Sequence, residues 1–183
     1  MGIVLITIFY YLRGIHNFMI NEEKYSEKDF RQLFGNFPTG VTVIGMNENG
    51  ISKGITANSI TSVSLKPMLL LVCIDKNAAS HEVLKRVGQF SINFLSNEQK
   101  DASRFFANST SDTNNSMGGF SFLLGNNGSP ILDDVIGWIE CKISSWYEGG
   151  DHSIVLGEVT NMKIQDENLK PLVYYNGDYS EIA

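Results

Sequence analysis

Short apolar runs separated by turn residues organise most of the chain, and their periods point to strands more often than to helices. Residues 41–46 are rich in β-branched side chains at strand length. Asn47-Glu48-Asn49-Gly50 is a hairpin signature, and residues 51–56 supply the return strand. Residues 68–74, Met-Leu-Leu-Leu-Val-Cys-Ile, form a continuous apolar run, which predicts a strand with both faces buried. Residues 90–95 and 138–146 alternate apolar with polar positions; 152–160 reads as the next strand, and 159–165 continues or closes the sheet. The tail, 171–179, carries an Asn176-Gly177 turn. Helical signals are brief. Ser26 caps a helix over 27–34 that places Phe30, Leu33 and Phe34 on one face. A second covers 79–87, with Ser80 or Asn77 as cap and Gly88 as stop, and a third covers 97–106. Many short strands with so few helices predict a mostly-β barrel rather than a doubly wound sheet.

Three stretches do not follow this pattern. Residues 107–128 are rich in Asn, Ser, Thr and Gly and predict a mobile loop, with 120–124 docking on an apolar patch. Residues 54–64, Gly-Ile-Thr-Ala-Asn-Ser-Ile-Thr-Ser-Val-Ser, crowd five hydroxyls and Asn58 into eleven positions. A buried hydroxyl needs a hydrogen-bond partner. The run is therefore either a polar turn between strands or a lining that cradles a phosphate or polyol. Residues 1–12 are almost wholly apolar but too short to span a bilayer. They have no positive segment before them and no small-residue cleavage site after them, which makes a poor secretory signal. The expectation is a non-domain extension over 1–18 and a domain over 19–183, with a peripheral membrane anchor as the lesser alternative.

Composition narrows the chemistry. A chain of 183 residues suits one domain with a real core. Its net charge of -6, with no Lys/Arg block, argues against a nucleic-acid partner. Cys73 and Cys141 sit in strand-like runs; a disulfide is open, but two buried reduced thiols suit a cytoplasmic protein better. Three histidines without ligand spacing give no support to structural zinc. No Gly-x-Gly-x-x-Gly, phosphate-binding loop, nucleophile elbow or paired-carboxylate signature occurs, and Asp133-Asp134 reads as a solvated turn. Catalysis, if present, then belongs to a cofactor that the protein binds and orients. Cys73 reads as core, His81 as a surface cap on its helix, and Trp138 and Trp146 as packing or interface residues. Tyr174 and Tyr175 read as barrel closure.

Several motifs occur in one order: Phe37-Pro-Thr-Gly-Val-Thr-Val43, Gly54-Ile-Thr-Ala-Asn-Ser-Ile-Thr-Ser-Val-Ser-Leu-Lys-Pro67, Leu71-Val-Cys-Ile-Asp75, Phe90-Ser-Ile-Asn-Phe-Leu95, Gly150-Asp-His152, Leu156-Gly-Glu-Val159 and Pro171-Leu-Val-Tyr-Tyr175. Together they resemble the short-chain flavin reductase family, including the reductase components of two-component flavin monooxygenases. The resemblance implies a split β-barrel that binds FMN or FAD at a homodimer interface. It also implies NADH or NADPH as hydride donor and a partner monooxygenase as recipient of reduced flavin. By the same resemblance, Thr56, Ala57, Asn58 and Ser59 contact the isoalloxazine and ribityl groups, Ser62, Val63 and Ser64 reach towards the phosphate, and Asn77 and Ser80 give a second phosphate-side contact. Backbone around Pro38-Thr39-Gly40 lies near the ring in relatives. On residues alone His152 is an exposed strand-edge histidine; the resemblance makes it a nicotinamide contact that orients rather than abstracts a proton. Two departures stand out: Lys66-Pro67-Met68 replaces a double proline, and 109–119 is unusually polar. The second leaves nicotinamide preference and acceptor identity open. Two rivals stand beside the main reading: a flavin carrier of the same fold with little nicotinamide turnover, and a non-flavin barrel acting as an interaction module.

Overall fold

The computed structural model describes residues 25–108 and 117–182. The expected extension, the start of the domain at 19, and most of the polar stretch 109–119 lie outside the described residues. Those described fall into two units that divide after Asn36. In the first, α1 (Glu27–Gly35) begins at a capping box: the Ser26 hydroxyl accepts from the Asp29 N–H at 3.2 Å, and the Asp29 carboxylate accepts from the Ser26 N–H at 2.9 Å. The Ser26 hydroxyl also donates to the Asp29 carboxylate at 2.6 Å, and this bond, with the one from the Ser26 N–H, holds the Asp29 carboxyl below the usual carboxylate range. Phe30 and Phe34 stack with centroids 4.6 Å apart.

In the second unit, seven strands form one antiparallel sheet: β2 (Thr42–Glu48), β3 (Ile51–Ala57), β4 (Ile60–Leu65), β5 (Met68–Asp75), β6 (Gln89–Phe94), β9 (Gly137–Gly149) and β10 (His152–Ile164). Their order across the sheet is β3-β2-β6-β9-β10-β5-β4. β3 and β4 are thus opposite edges, yet only Asn58 and Ser59 separate them in sequence. Three peptide units reach at most about 11 Å, so the sheet must roll until its two edges stand side by side there. The edges approach without a shared hydrogen-bond ladder, which makes the barrel split. Two smaller sheets complete the unit: β1 (Thr39–Gly40) with β11 (Val173–Tyr175) and β12 (Asp178–Ser180), and β7 (Phe122–Leu124) with β8 (Pro130–Leu132).

The rolled sheet has two cores. Ile44, Met46, Leu70, Val72, Ile74, Phe90 and Ile92 fill one, with Val83 and Leu84 from α2 (Ala79–Val87). Val41, Val43, Leu95, Leu132 and Leu172 form the other, with Ala102 and Phe106 from α3 (Lys100–Ala107). β2 feeds both, Val43 on one face and Ile44 and Met46 in the other core, because successive side chains of a strand point to opposite faces.

Some expectations hold closely. α2 spans the expected residues and stops at a left-handed Gly88. Asn49 and Gly50, at φ 54° and 84°, make the hairpin turn, since a two-residue loop of matching twist needs positive φ at both central positions. Cys73 and Cys141 are free thiols.

Others are corrected. The hydroxyl-rich run is strand at both ends, not a turn: 54–57 end β3, and 60–64 belong to β4, which pairs with β5 from Ile60↔Val72 onward and carries its side chains on an exposed edge. β5 buries one face only, through Leu70, Val72 and Ile74, while Leu69, Leu71 and Cys73 are half-buried. α2 is capped by Ala78 with no side-chain hydrogen bond, so neither Ser80 nor Asn77 fills that role. α3 starts at Lys100 rather than 97, β9 runs past the expected 146 to Gly149, and 152–160 with 159–165 is one 13-residue strand, β10, whose pairing with β9 carries bulges.

Gly45 in β2 marks a close approach. A Cβ there would stand 2.5 Å from Ser91 Oγ and 2.6 Å from the Pro130 carbonyl oxygen, atoms that already hydrogen-bond each other. Gly45→Ala is expected to lower unfolding free energy by about 1–3 kcal/mol, the usual cost of overpacking, as measured by urea denaturation.

Candidate functional site

A cleft of about 430 Å³ opens where the two sheet edges meet. The end of β3 and the Asn58-Ser59 connection form one wall, and the end of β5 with the first turn of α2 forms the other. Thr56, Ala57, Asn58, Ser59, Asn77, Ser80 and His152 all line it. Ser62, Val63 and Ser64 do not; they follow on β4, further along the open edge.

Each polar residue of the connection is locally engaged. Thr56 Oγ1 donates to the Ser103 carbonyl of α3 at 2.6 Å, and Ser103 Oγ receives the Tyr179 hydroxyl at 2.8 Å. Asn58 Nδ2 donates to Thr39 Oγ1 at 3.1 Å, which ties the connection to β1. Ser59 clasps β5 twice: its hydroxyl donates to the Cys73 carbonyl at 3.0 Å, and its own carbonyl accepts from Cys73 N–H at 3.1 Å. These bonds leave the lone pairs of Thr56 and Ser59 available to a polar ligand.

The opposite wall is electropositive in a specific way. An α-helix presents unsatisfied N–H groups and the positive end of its dipole at its N-terminus, which suits an anion. α2 turns that end to the cleft through Ala78, Ala79 and Ser80, with no side chain of its own on the cap. Ser80 is 7% exposed, and its hydroxyl has no hydrogen-bond partner among the described residues. A buried hydroxyl left so costs free energy that a phosphoryl oxygen would recover. The cleft therefore fits a ligand with a phosphate at the α2 end.

His152 begins β10 and is partly exposed at the cleft. Its Nδ1 lies 2.8 Å from Asp151 Oδ1, and since a carboxylate only accepts, Nδ1 carries a proton, which makes Nε2 the acceptor of the neutral ring. Lys76 fixes the hairpin that carries it: the Lys76 N–H donates to the Asp151 carbonyl at 3.0 Å, and Nζ donates to the Gly150 carbonyl at 2.7 Å and to Glu148 Oε2 at 2.5 Å. The bond from Lys76 holds the Glu148 carboxyl below the usual range.

Several wall residues escaped the sequence reading. Lys53 and the C-terminal end of α3 with its cap (Phe106, Ala107, Asn108) also line the cleft. Nothing in their local pattern signals it, because α3 reaches β3 only through tertiary packing, with Phe106 filling the space above Gly54. Two readings change. Cys73, expected in the core, is half-buried and lines the cleft, and burial pushes its thiol up. His81, expected as a surface cap, is 3% exposed.

A single antiparallel sheet rolled into a split barrel, with a polar cleft and a helix N-terminus at its seam, is the architecture of flavin-binding split-barrel proteins. Comparison with known proteins agrees: the model of the flavin reductase like domain matches residues 34–183, and the chain belongs to that family. A Rhizobium meliloti protein named a probable flavin reductase is 41% identical over 158 residues, 86% of this chain and 49% of that protein. The chain thus spans about half the length of that relative. The reductase subunit of a Mycobacterium tuberculosis flavin-dependent monooxygenase is 33% identical over 156 residues, covering 85% of this chain and 82% of the subunit. Among solved structures, a Streptomyces globisporus NADH:FAD oxidoreductase in complex with NAD and FAD fragments superposes with a TM-score of 0.81 at 34% identity, covering 86% of this chain and 93% of that one. Among the described residues no helix is long and apolar enough to cross a membrane.

The two thiols provide a check on the cleft. Cys141 is fully buried and its thiol is pushed up to about 12 by burial and then by Glu140, so it should resist alkylation until the protein unfolds. Cys73 should label slowly, and a ligand that occupies the cleft should slow it further. Mass spectrometry after iodoacetamide treatment, with and without FMN or FAD, measures both.

Proposed function

We propose that this chain is an NAD(P)H-dependent flavin reductase: it binds FMN or FAD in the seam cleft and promotes hydride transfer to it from NADH or NADPH. One observation carries the reading. In a chain of the flavin reductase family, a single cleft gathers the hydroxyl-rich connection, an orphaned buried hydroxyl at a helix N-terminus, and an oriented imidazole. When bound, the flavin supplies the electron chemistry, taking two electrons as hydride from a dihydronicotinamide.

The protein's own work is binding and orientation. At the α2 end, Ser80 Oγ and the first-turn N–H groups hold the phosphate, with Asn77 beside them. Thr56, Ala57, Asn58 and Ser59 line the ring and ribityl side, and the small side chain of Ala57 leaves room for the ring. His152 Nε2 accepts from the carboxamide N–H of the nicotinamide and so sets which face the donor presents. No side chain needs to move a proton, because rate here depends on the approach and alignment of two rings. In this reading Ser62, Val63 and Ser64 add to the phosphate side from β4. A second copy of the chain covers that open edge, where Val63 is 48% and Leu65 84% exposed. A homodimer and a partner monooxygenase that takes up the reduced flavin belong to the same proposal, the latter supported by the monooxygenase reductase subunit among the relatives. A cytoplasmic location is also part of it.

Two variants separate the two ligands. Ser80→Ala removes a buried hydroxyl that lacks a partner among the described residues, so the apo-protein should be no less stable while the flavin Kd rises about tenfold, one charge-assisted hydrogen bond's worth. Fluorescence titration and thermal unfolding read the two effects. His152→Ala should raise the KM for the nicotinamide about tenfold and leave the flavin Kd nearly unchanged. A large loss of flavin binding in that variant would refute the assignment. Bleaching of the 450 nm flavin band on adding NADH or NADPH tests the reaction itself, 450 nm being roughly where oxidised flavins absorb.

A further inference from the structure

Polar contacts join Lys76 and the start of α2 to the β9–β10 hairpin. Those of Lys76, to Asp151, Gly150 and Glu148, lie on the exposed side. A further one is buried. His81 Nε2 lies 2.8 Å from Ser153 Oγ, and the two residues are 3% and 4% exposed. The other ring nitrogen, Nδ1, lies 3.1 Å from Glu82 Oε1. A carboxylate only accepts, so Nδ1 carries a proton; in the neutral ring Nε2 then accepts, and the Ser153 hydroxyl donates to it. The ring stands edge-on to Trp146, with centroids 5.3 Å apart and planes at 76°.

Position gives this bond its meaning. His81 directly follows Ser80, and Ser153 directly follows His152. Ser80 and His152 line the cleft; His81 and Ser153 stand behind them and do not. The helix does not need the bond to dock, because Val83 and Leu84 already bury it in the core. A buried polar pair brings a desolvation cost that an apolar pair of the same shape avoids, and what it adds is one defined geometry.

We propose that His81 is a positioning residue: through Ser153 it sets how far the wall that carries Ser80 stands from the strand that carries His152. It thereby couples binding of the flavin phosphate to binding of the nicotinamide. The proposal rests on the assignments of Ser80 and His152 given above. His81→Leu and Ser153→Ala should each raise both the flavin Kd and the nicotinamide KM about tenfold, while kcat at saturation changes far less. The double variant should be no worse than either single one, since both remove the same bond. His81→Gln, whose amide oxygen reaches the place of Nε2, should restore both constants to within about threefold. The flavin Kd is read by fluorescence titration without turnover, and circular dichroism confirms that each variant is folded. If Ser80→Ala and His152→Ala act as expected but a folded His81→Leu moves neither constant, the positioning role is overturned. Additive effects in the double variant overturn it too. If Ser80→Ala and His152→Ala themselves change nothing, the ligand assignments fall first, and the proposal with them.

Discussion

The two-residue connection between β3 and β4 constrains everything else in the barrel. Asn58 and Ser59 join strands that lie at opposite edges of a seven-stranded sheet, so the sheet has to roll until those edges meet. Ser59 then clasps β5 through both its hydroxyl and its carbonyl, and Asn58 reaches across to Thr39. Because β3 and β4 meet there without pairing, the seam stays open, and the cleft is that opening. A longer connection would let the edges drift apart, and a paired one would close the gap where a ligand fits.

Around the seam, short polar ties do what apolar packing cannot. Cores hold strands together over broad surfaces, but hydrogen bonds fix particular atoms in direction and distance. Lys76 pins the hairpin that carries His152, and Thr56 braces α3 through the Ser103 carbonyl. The N-terminus of α2 is the exception, since it has no side-chain cap and keeps an unpartnered hydroxyl beside it. Unsatisfied donors are tolerated in a folded protein where a ligand completes them. That contrast between a braced wall and an incomplete one is what gives the cleft its polarity.

Local signals carried much of this in the sequence. The limits of α2 and its stop at Gly88, the Asn49-Gly50 turn and the tail hairpin at Asn176-Gly177 each depend on neighbouring residues alone, and each appears where expected. Residues that depend on distant partners read less well. The hydroxyl run looked like a loop because Ser and Thr are frequent in loops, yet an edge strand has one solvated flank and tolerates them. The apolar run in β5 suggested two buried faces; one of them is only half-buried instead, and at its end Cys73 lines the cleft. His81 looked like a surface residue because nothing near it in sequence announces Ser153 or Trp146, 72 and 65 positions further on by number.

By itself, then, the sequence determined most of the long strands, the limits of α2, the order of motifs and the family to which they belong, since period, turn chemistry and motif order are properties of contiguous residues. The tertiary structure decided which of the candidate residues share a cavity. Thr56 to Ser59 meet Asn77, Ser80 and His152 only because the sheet rolls, and Ser62 to Ser64 leave that group because β4 runs on along the open edge. It also decided that the α3 end and Lys53 belong to the same walls. Proximity across a seam is set by how far a sheet must curl to join two edges through two residues, and no local pattern encodes that distance.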